Sequence, residues 1–97
     1  MTGTTLSTST LDPRRKRLLY RCWHRGTREM DLIVGRFADA HLVGFAEAEL
    51  DEFERLIDVP DPDLYAALTD ARPLPEVEQG ALFRKMKAFH EGGRSLP

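Results

Sequence analysis

The chain of 97 residues has a single cysteine, Cys22. It cannot close an internal disulfide, which fits a reducing compartment and leaves packing to hold the fold. No run approaches the ~18 apolar residues that would span a bilayer, so no membrane insertion is expected. His24, His41 and His90 are scattered, with no HExxH and no Cys/His pairing at ligand spacing, so no metal site is expected. A glycine-rich phosphate loop is also missing, and Gly92-Gly93 reads as a fraying terminus. Cys22 has basic neighbours in Arg21 and Arg25, yet it falls on an inner helical stripe where a packed thiol is expected. The abundant carboxylates sit on a solvated face without an apolar pocket to raise a pKa. No catalytic set is visible, and the sequence reads as that of a non-enzyme.

What is present is charge, unevenly placed. The formal net charge is only -2 and the pI about 5.9. Residues 14–28 nonetheless hold seven Lys/Arg and no acid, whereas residues 29–63 hold eleven Asp/Glu against Arg36 and Arg55. This asymmetry points either to a charged partner surface or to two solvated helix faces of opposite sign that pair with each other.

Helical signals run from end to end. Asp12-Pro13 supplies an N-cap followed by proline at the first helical position, where its missing N–H costs nothing. Leu18, Leu19, Cys22 and Trp23 then fall on one side, and Gly26 offers a left-handed stop. Thr27 can cap a second helix striped by Met30, Ile33, Val34, Phe37 and His41, with His41 a core histidine. Gly35 inside it implies close approach of a neighbouring helix. Leu50, Phe53, Leu56 and Ile57 form the inner face of a third helix whose outer face is acidic. In "DVPDPDLYAAL" Pro60 closes that helix, Asp61 caps, Pro62 takes the first helical position, and Leu64, Tyr65 and Leu68 point inward. "ARPLPE" stops the fourth helix and starts a fifth at Pro75, with Val77, Ala81 or Leu82, Met86 and Phe89 inside. The expectation is an all-α, five-helix bundle forming one domain, with helices at about 13–25, 28–45, 47–58, 62–70 and 75–91. Residues 1–11 read as a disordered tail, 12–91 as the helical domain and 92–97 as a flexible end.

The joint between the first two helices, "HRGTRE", holds more charge than a turn needs. Arg25 suits the negative end of one helix dipole and Glu29 the positive start of the next. Arg28 sits in that same first turn, where a cation is disfavoured by ~0.3–1 kcal/mol. The joint is either a structural corner or a rigid polar knuckle able to meet a partner's carboxylate or carbonyl.

"RKRLLYRCWHRGTREMDLIVGRFADAHL" resembles the opening of the succinate dehydrogenase assembly factor family, the flavinylation factors of bacteria and mitochondria. That family is marked by Arg-Gly-x-x-Glu at the first interhelical turn, here Arg25, Gly26, Thr27, Arg28 and Glu29. "DVPDPDLYAAL" and "ARPLPE" resemble its later segments, so the likeness covers roughly residues 14–91. One departure is Ala67, where family members often have tryptophan. The resemblance implies a small helical bundle that binds the flavoprotein subunit of succinate dehydrogenase, and in some bacteria of fumarate reductase. It further implies help in attaching FAD covalently to a histidine of that subunit, with no cofactor bound stably by this chain. Arg25, Gly26, Arg28, Glu29 and Asp31 become the expected partner contact, with Asp61, Asp63 and Tyr65 as a second. The implied location is the bacterial cytoplasm, or the mitochondrial matrix in a eukaryote. The rival readings are a basic-faced nucleic-acid-binding module, in which "RRKR", Arg21, Arg25 and Arg28 line phosphates, and a generic helical interaction domain.

Overall fold

The structure, a computed structural model, describes residues 11–94, the last two for backbone alone. Of the tail expected over residues 1–11, residues 1–10 lie outside the described residues while Leu11 is buried, and of the flexible end expected over 92–97, residues 95–97 lie outside them. All regular structure among the described residues is helical, as the periodicity predicts. The chain divides into two compact units, Met1–Ala46 and Glu47–Pro97.

The first unit pairs α1 (Pro13–Trp23) with α2 (Arg28–His41), followed by a 3-10 turn, Leu42–Gly44. Asp12 caps α1 as expected, its carboxylate accepting from the Arg15 N–H at 2.7 Å. That backbone bond, with the Arg15 guanidinium beside it, holds the Asp12 carboxyl below the usual carboxylate range. The cap is therefore kept above the ordinary value and lost only as pH falls through the lowered one. Leu18, Leu19, Cys22 and Trp23 are buried on one side of the helix, and Leu11 is buried just before it.

Gly35 lets the Trp23 indole lie directly on α2: a Cβ at this position would run into the ring itself. The indole Nε1–H then donates to Asp39 at 3.1 Å, so the ring is fixed by contact on one side and a hydrogen bond on the other. The stripe of α2 buries Met30, Ile33, Val34 and Phe37 as predicted, together with Ala38. His41 is only half-buried, its ring tilted against Phe37 at 4.7 Å between centroids.

Helix α2 stops at His41, short of the predicted 45. The last turn tightens to 3-10, and Phe45 takes an extended conformation that buries its ring near Phe37. Half-buried Arg15 fixes this end of the unit. Its Nε donates to the Leu42 carbonyl at 3.2 Å and its Nη2 to the Phe45 carbonyl. A residue expected to belong to a basic patch is thus a clamp on the carbonyls of the 3-10 turn and its cap, the Leu42 carbonyl also accepting from the Phe45 N–H.

In the second unit α3 (Glu47–Ile57), α4 (Asp61–Leu68) and a single turn, α5 (Pro75–Glu78), accompany α6 (Ala81–Arg94). Leu50, Phe53, Leu56 and Ile57 are buried as their spacing predicts. Helix α4 begins one residue earlier than expected, with Pro60 at the cap position and Asp61 inside. It ends at Leu68 because Asp70 turns left-handed at φ 62, which brings the Ala71 N–H to the Ala66 carbonyl at 2.8 Å. The prolines farther on are therefore not its immediate stop. Ala67 is buried and Tyr65 half-buried.

The expected helix over 75–91 is two helices. A turn at Gln79-Gly80 separates α5 from α6, and the Glu52 carboxylate of α3 caps the new start by accepting from the Leu82 N–H at 2.9 Å. The break resets the stripe onto Leu82, Phe83 and Met86, so Phe83 is buried and Phe89, expected inside, is 38% exposed. Helix α6 also runs through Gly92 and Gly93 to Arg94, past the predicted fraying point.

Candidate functional site

The first joint is closed mainly by its own backbone and short side chains. Helix α1 ends at Trp23, two residues before the predicted end, with His24 as cap. The His24 Nδ1 lies 2.8 Å from the Tyr20 carbonyl, where an N–H donating from the ring satisfies an acceptor at the helix end. Gly26 has φ 109, a conformation that side chains resist, and nothing lies within 4 Å of where its Cβ would be. Backbone freedom, not space, requires glycine here. Thr27 then caps α2, its Oγ1 accepting from the Met30 N–H at 3.2 Å.

Asp31 is the member of the predicted contact set that turns inward. Half-buried, it accepts from the Arg25 N–H at 2.5 Å and so staples the turn across six residues. Arg25 is half-buried beside it, whereas Gly26, Arg28 and Glu29 are exposed. The exposed part of the expected contact is therefore narrower than its residue set: Arg28 and Glu29 stand out, and Arg25 is partly sunk. Behind the joint, burial pushes the Cys22 thiol up to about 12, outweighing the opposing pull of Arg25 and Arg21. This thiol is a packed side chain with no nucleophile's activation.

The second predicted segment lies in the other unit. Asp61 opens α4 and is half-buried. Asp63 pairs with Arg72 at 2.5 Å, the two side chains 37% and 55% exposed. Tyr65 offers its carbonyl to the Thr69 hydroxyl at 2.8 Å, which closes the end of the same helix. A cleft of about 510 Å³ beside α5 is lined by Leu56, Val59, Val77 and Phe83 with Glu52 and Arg55, and none of the predicted site residues borders it. Among the described residues no group of three or more His, Cys, Asp or Glu could hold a metal ion, and no helix is long and apolar enough to cross a membrane.

Fold and joint together define a small all-α protein with a preformed polar corner near its start. The family model described as flavinator of succinate dehydrogenase (Sdh5) matches residues 16–90, and the chain belongs to that family. The matched span encloses both predicted segments. Among its relatives is the mitochondrial succinate dehydrogenase assembly factor 2 of Scheffersomyces stipitis, 44% identical over 80 residues, which are 79% of this chain and 54% of the relative. The protein of that name from Danio rerio is 41% identical over 81 residues, 81% of this chain and 51% of the relative. The FAD assembly factor SdhE of Acetobacter pasteurianus is 38% identical over 76 residues, 78% of this chain and 70% of the relative. The chain spans about half the length of the mitochondrial relatives it matches. No solved structure gives a significant match.

Proposed function

We propose that this chain is an assembly factor that binds the flavoprotein subunit of succinate dehydrogenase, and of fumarate reductase where one is present, and promotes covalent attachment of FAD to a histidine of that subunit. Family membership over residues 16–90 supports the reading, and the joint gives it a physical form. The observation that carries it is a corner fixed by Gly26 at positive φ, Thr27 and Asp31, with Arg28 and Glu29 exposed upon it. A corner made rigid by such local means presents guanidinium and carboxylate groups with little ordering left to do on binding. The bond-forming histidine and the flavin both belong to the partner. This chain's contribution is preorganisation: it holds the subunit so that histidine and flavin methyl group are aligned. Arg25, Gly26, Arg28 and Glu29 form the contact nearest that event, and Asp61, Asp63 and Tyr65 a second. The factor itself holds no cofactor stably and acts as a non-enzyme, in the bacterial cytoplasm or the mitochondrial matrix according to its source. The nucleic-acid reading is weakened by Arg15, whose guanidinium is engaged with the Leu42 and Phe45 carbonyls.

The test is flavin fluorescence of the denatured flavoprotein subunit, produced in cells lacking their own factor and supplied with this chain. Wild type should restore covalent flavin, and Arg25→Ala with Glu29→Ala should not. Full covalent flavin with the double variant would reduce the joint to a structural corner.

A further inference from the structure

We propose that the cleft beside α5, in the second unit, is a docking groove for a short amphipathic protein segment in which an apolar side chain is flanked by one acidic and one basic residue. The proposal goes beyond the assembly-factor reading and does not depend on it, because no residue assigned to the flavoprotein contact lines the cleft. At about 510 Å³ the cleft lies within the range of roughly 300–1,000 Å³ common to sites that take ligands.

Its walls are built without a partner. Leu56 and Phe83 are buried core residues that also line the cleft, and Val59 and Val77 beside them are half-buried. The Glu52 carboxylate pins the start of α6 to α3 through the Leu82 N–H, and Gly80 keeps that turn close, since a Cβ there would lie 3.1 Å from Glu52 Oε2. Helix α5 is closed by the Glu78 carboxylate, which accepts from the Leu74 N–H at 2.6 Å. Yet α5 buries no residue, so Val77 faces the cleft without being covered. Walls fixed in this way leave little ordering to be done on binding.

Charge selects the occupant. Glu52 is committed to its cap. Arg55 on the α3 wall and Glu76 on the α5 wall are exposed, and among the described residues neither makes a hydrogen bond or an ion pair. The cleft therefore offers one guanidinium and one carboxylate of opposite sign over an apolar lining. An apolar anion such as a fatty acid would answer Arg55 but meet Glu76 and Glu52, and a nucleic-acid strand would meet the same repulsion. A segment carrying both signs answers both groups, which is the complementarity that fixes register between partners. Glu52, Arg55, Leu56 and Val59 follow one another at spacings of three, one and three, so this wall is about two helical turns long and suits a short segment laid along it.

Selection on the immobilised full chain, from a display library of random peptides about 12 residues long, tests the groove. Enriched peptides should carry an apolar anchor with an acid on one side and a base on the other, and should shift the methyl resonances of Leu56, Val59 and Val77. Arg55→Glu should weaken their binding about tenfold. Exchanging the charges, Arg55→Glu with Glu76→Arg, should select peptides with acid and base in the reverse order. Both residues are exposed, so these variants keep the fold, which circular dichroism checks. Absence of enrichment, or peptides whose affinity and order ignore the charge variants, would overturn the groove. So would decanoate that shifts the same methyl groups and binds more tightly than any selected peptide, which would give the cleft to a small anion. Sedimentation equilibrium covers the remaining occupant. Self-association of the wild type that Arg55→Glu abolishes and the charge exchange restores would give the cleft to a second copy and overturn the proposal.

Discussion

The first joint and the turn that starts α6 are closed by different means. At the first joint the closing groups come from the joint itself: Gly26 by its φ, Thr27 by a cap, Asp31 by one bond back to Arg25. In the second unit long side chains reach between elements. Glu52 caps α6 from 30 residues away, Lys87 pairs with Asp70 across 17, and Asp63 with Arg72 across nine. A turn that closes locally needs no side chain from another element. A turn that borrows carboxylates commits them to the fold, so the acidity of the second unit overstates what it can offer a partner.

The largest expected effects concern the cores rather than the turns. Phe37 and Phe53 are fully buried, one in each unit, and truncation of either to alanine should cost ~3–5 kcal/mol in chemical denaturation. That is a large share of the stability of so small a protein. A cost under ~1 kcal/mol for one of them would show that its unit is not held by the core described.

Next comes Gly35→Ala, which pushes a methyl group into the Trp23 ring. A rigid ring held also by Asp39 gives way only with its helix, so a loss of ~1–3 kcal/mol is expected, with a shift in tryptophan fluorescence. No change in either would mean that α1 and α2 approach less closely than the ring requires. Glu52→Ala follows at ~1 kcal/mol, the ordinary worth of a helix cap, seen as a lower denaturation midpoint and faster amide exchange at Leu82. Unaltered exchange there would break the contrast between borrowed and local closure.

The same contrast separates what the sequence made legible from what it hid. Asp12, Gly26 and Thr27 could be read because each acts on backbone within a few residues, through rules that need no knowledge of the fold. Gly35 could be read because an interior glycine needs a reason and a neighbouring helix is the usual one. Arg15 could not, because its acceptors are the Leu42 and Phe45 carbonyls, 27 and 30 residues ahead. Glu52 was likewise hidden in an acidic face. The exchange of Phe83 for Phe89 in the core depended on the break at Gln79-Gly80, which a continuous 3.6-residue period passes over. At the joint the division of labour was not legible: Asp31 staples and Arg25 is half sunk, leaving Arg28 and Glu29 outermost.

The smallest stability effects belong to those outermost residues, and their signs differ. Arg28 is the first residue of α2 and Glu29 the second, so both lie where the helix dipole presents positive charge. Removing the cation relieves an unfavourable interaction, so Arg28→Ala should raise stability by a few tenths of a kcal/mol. Removing the anion should lower it by a similar amount, under ~1 kcal/mol. The double variant should then unfold near the wild-type midpoint with unchanged helicity. Arg28 gains nothing from the helix dipole at this position, which fits the recognition role proposed for it. Covalent flavin on the partner subunit should accordingly fall in both single variants, in parallel, although their midpoints move apart. Flavin yield that instead follows the midpoints, higher for Arg28→Ala and lower for Glu29→Ala, would make the joint a matter of stability and remove its role in recognition.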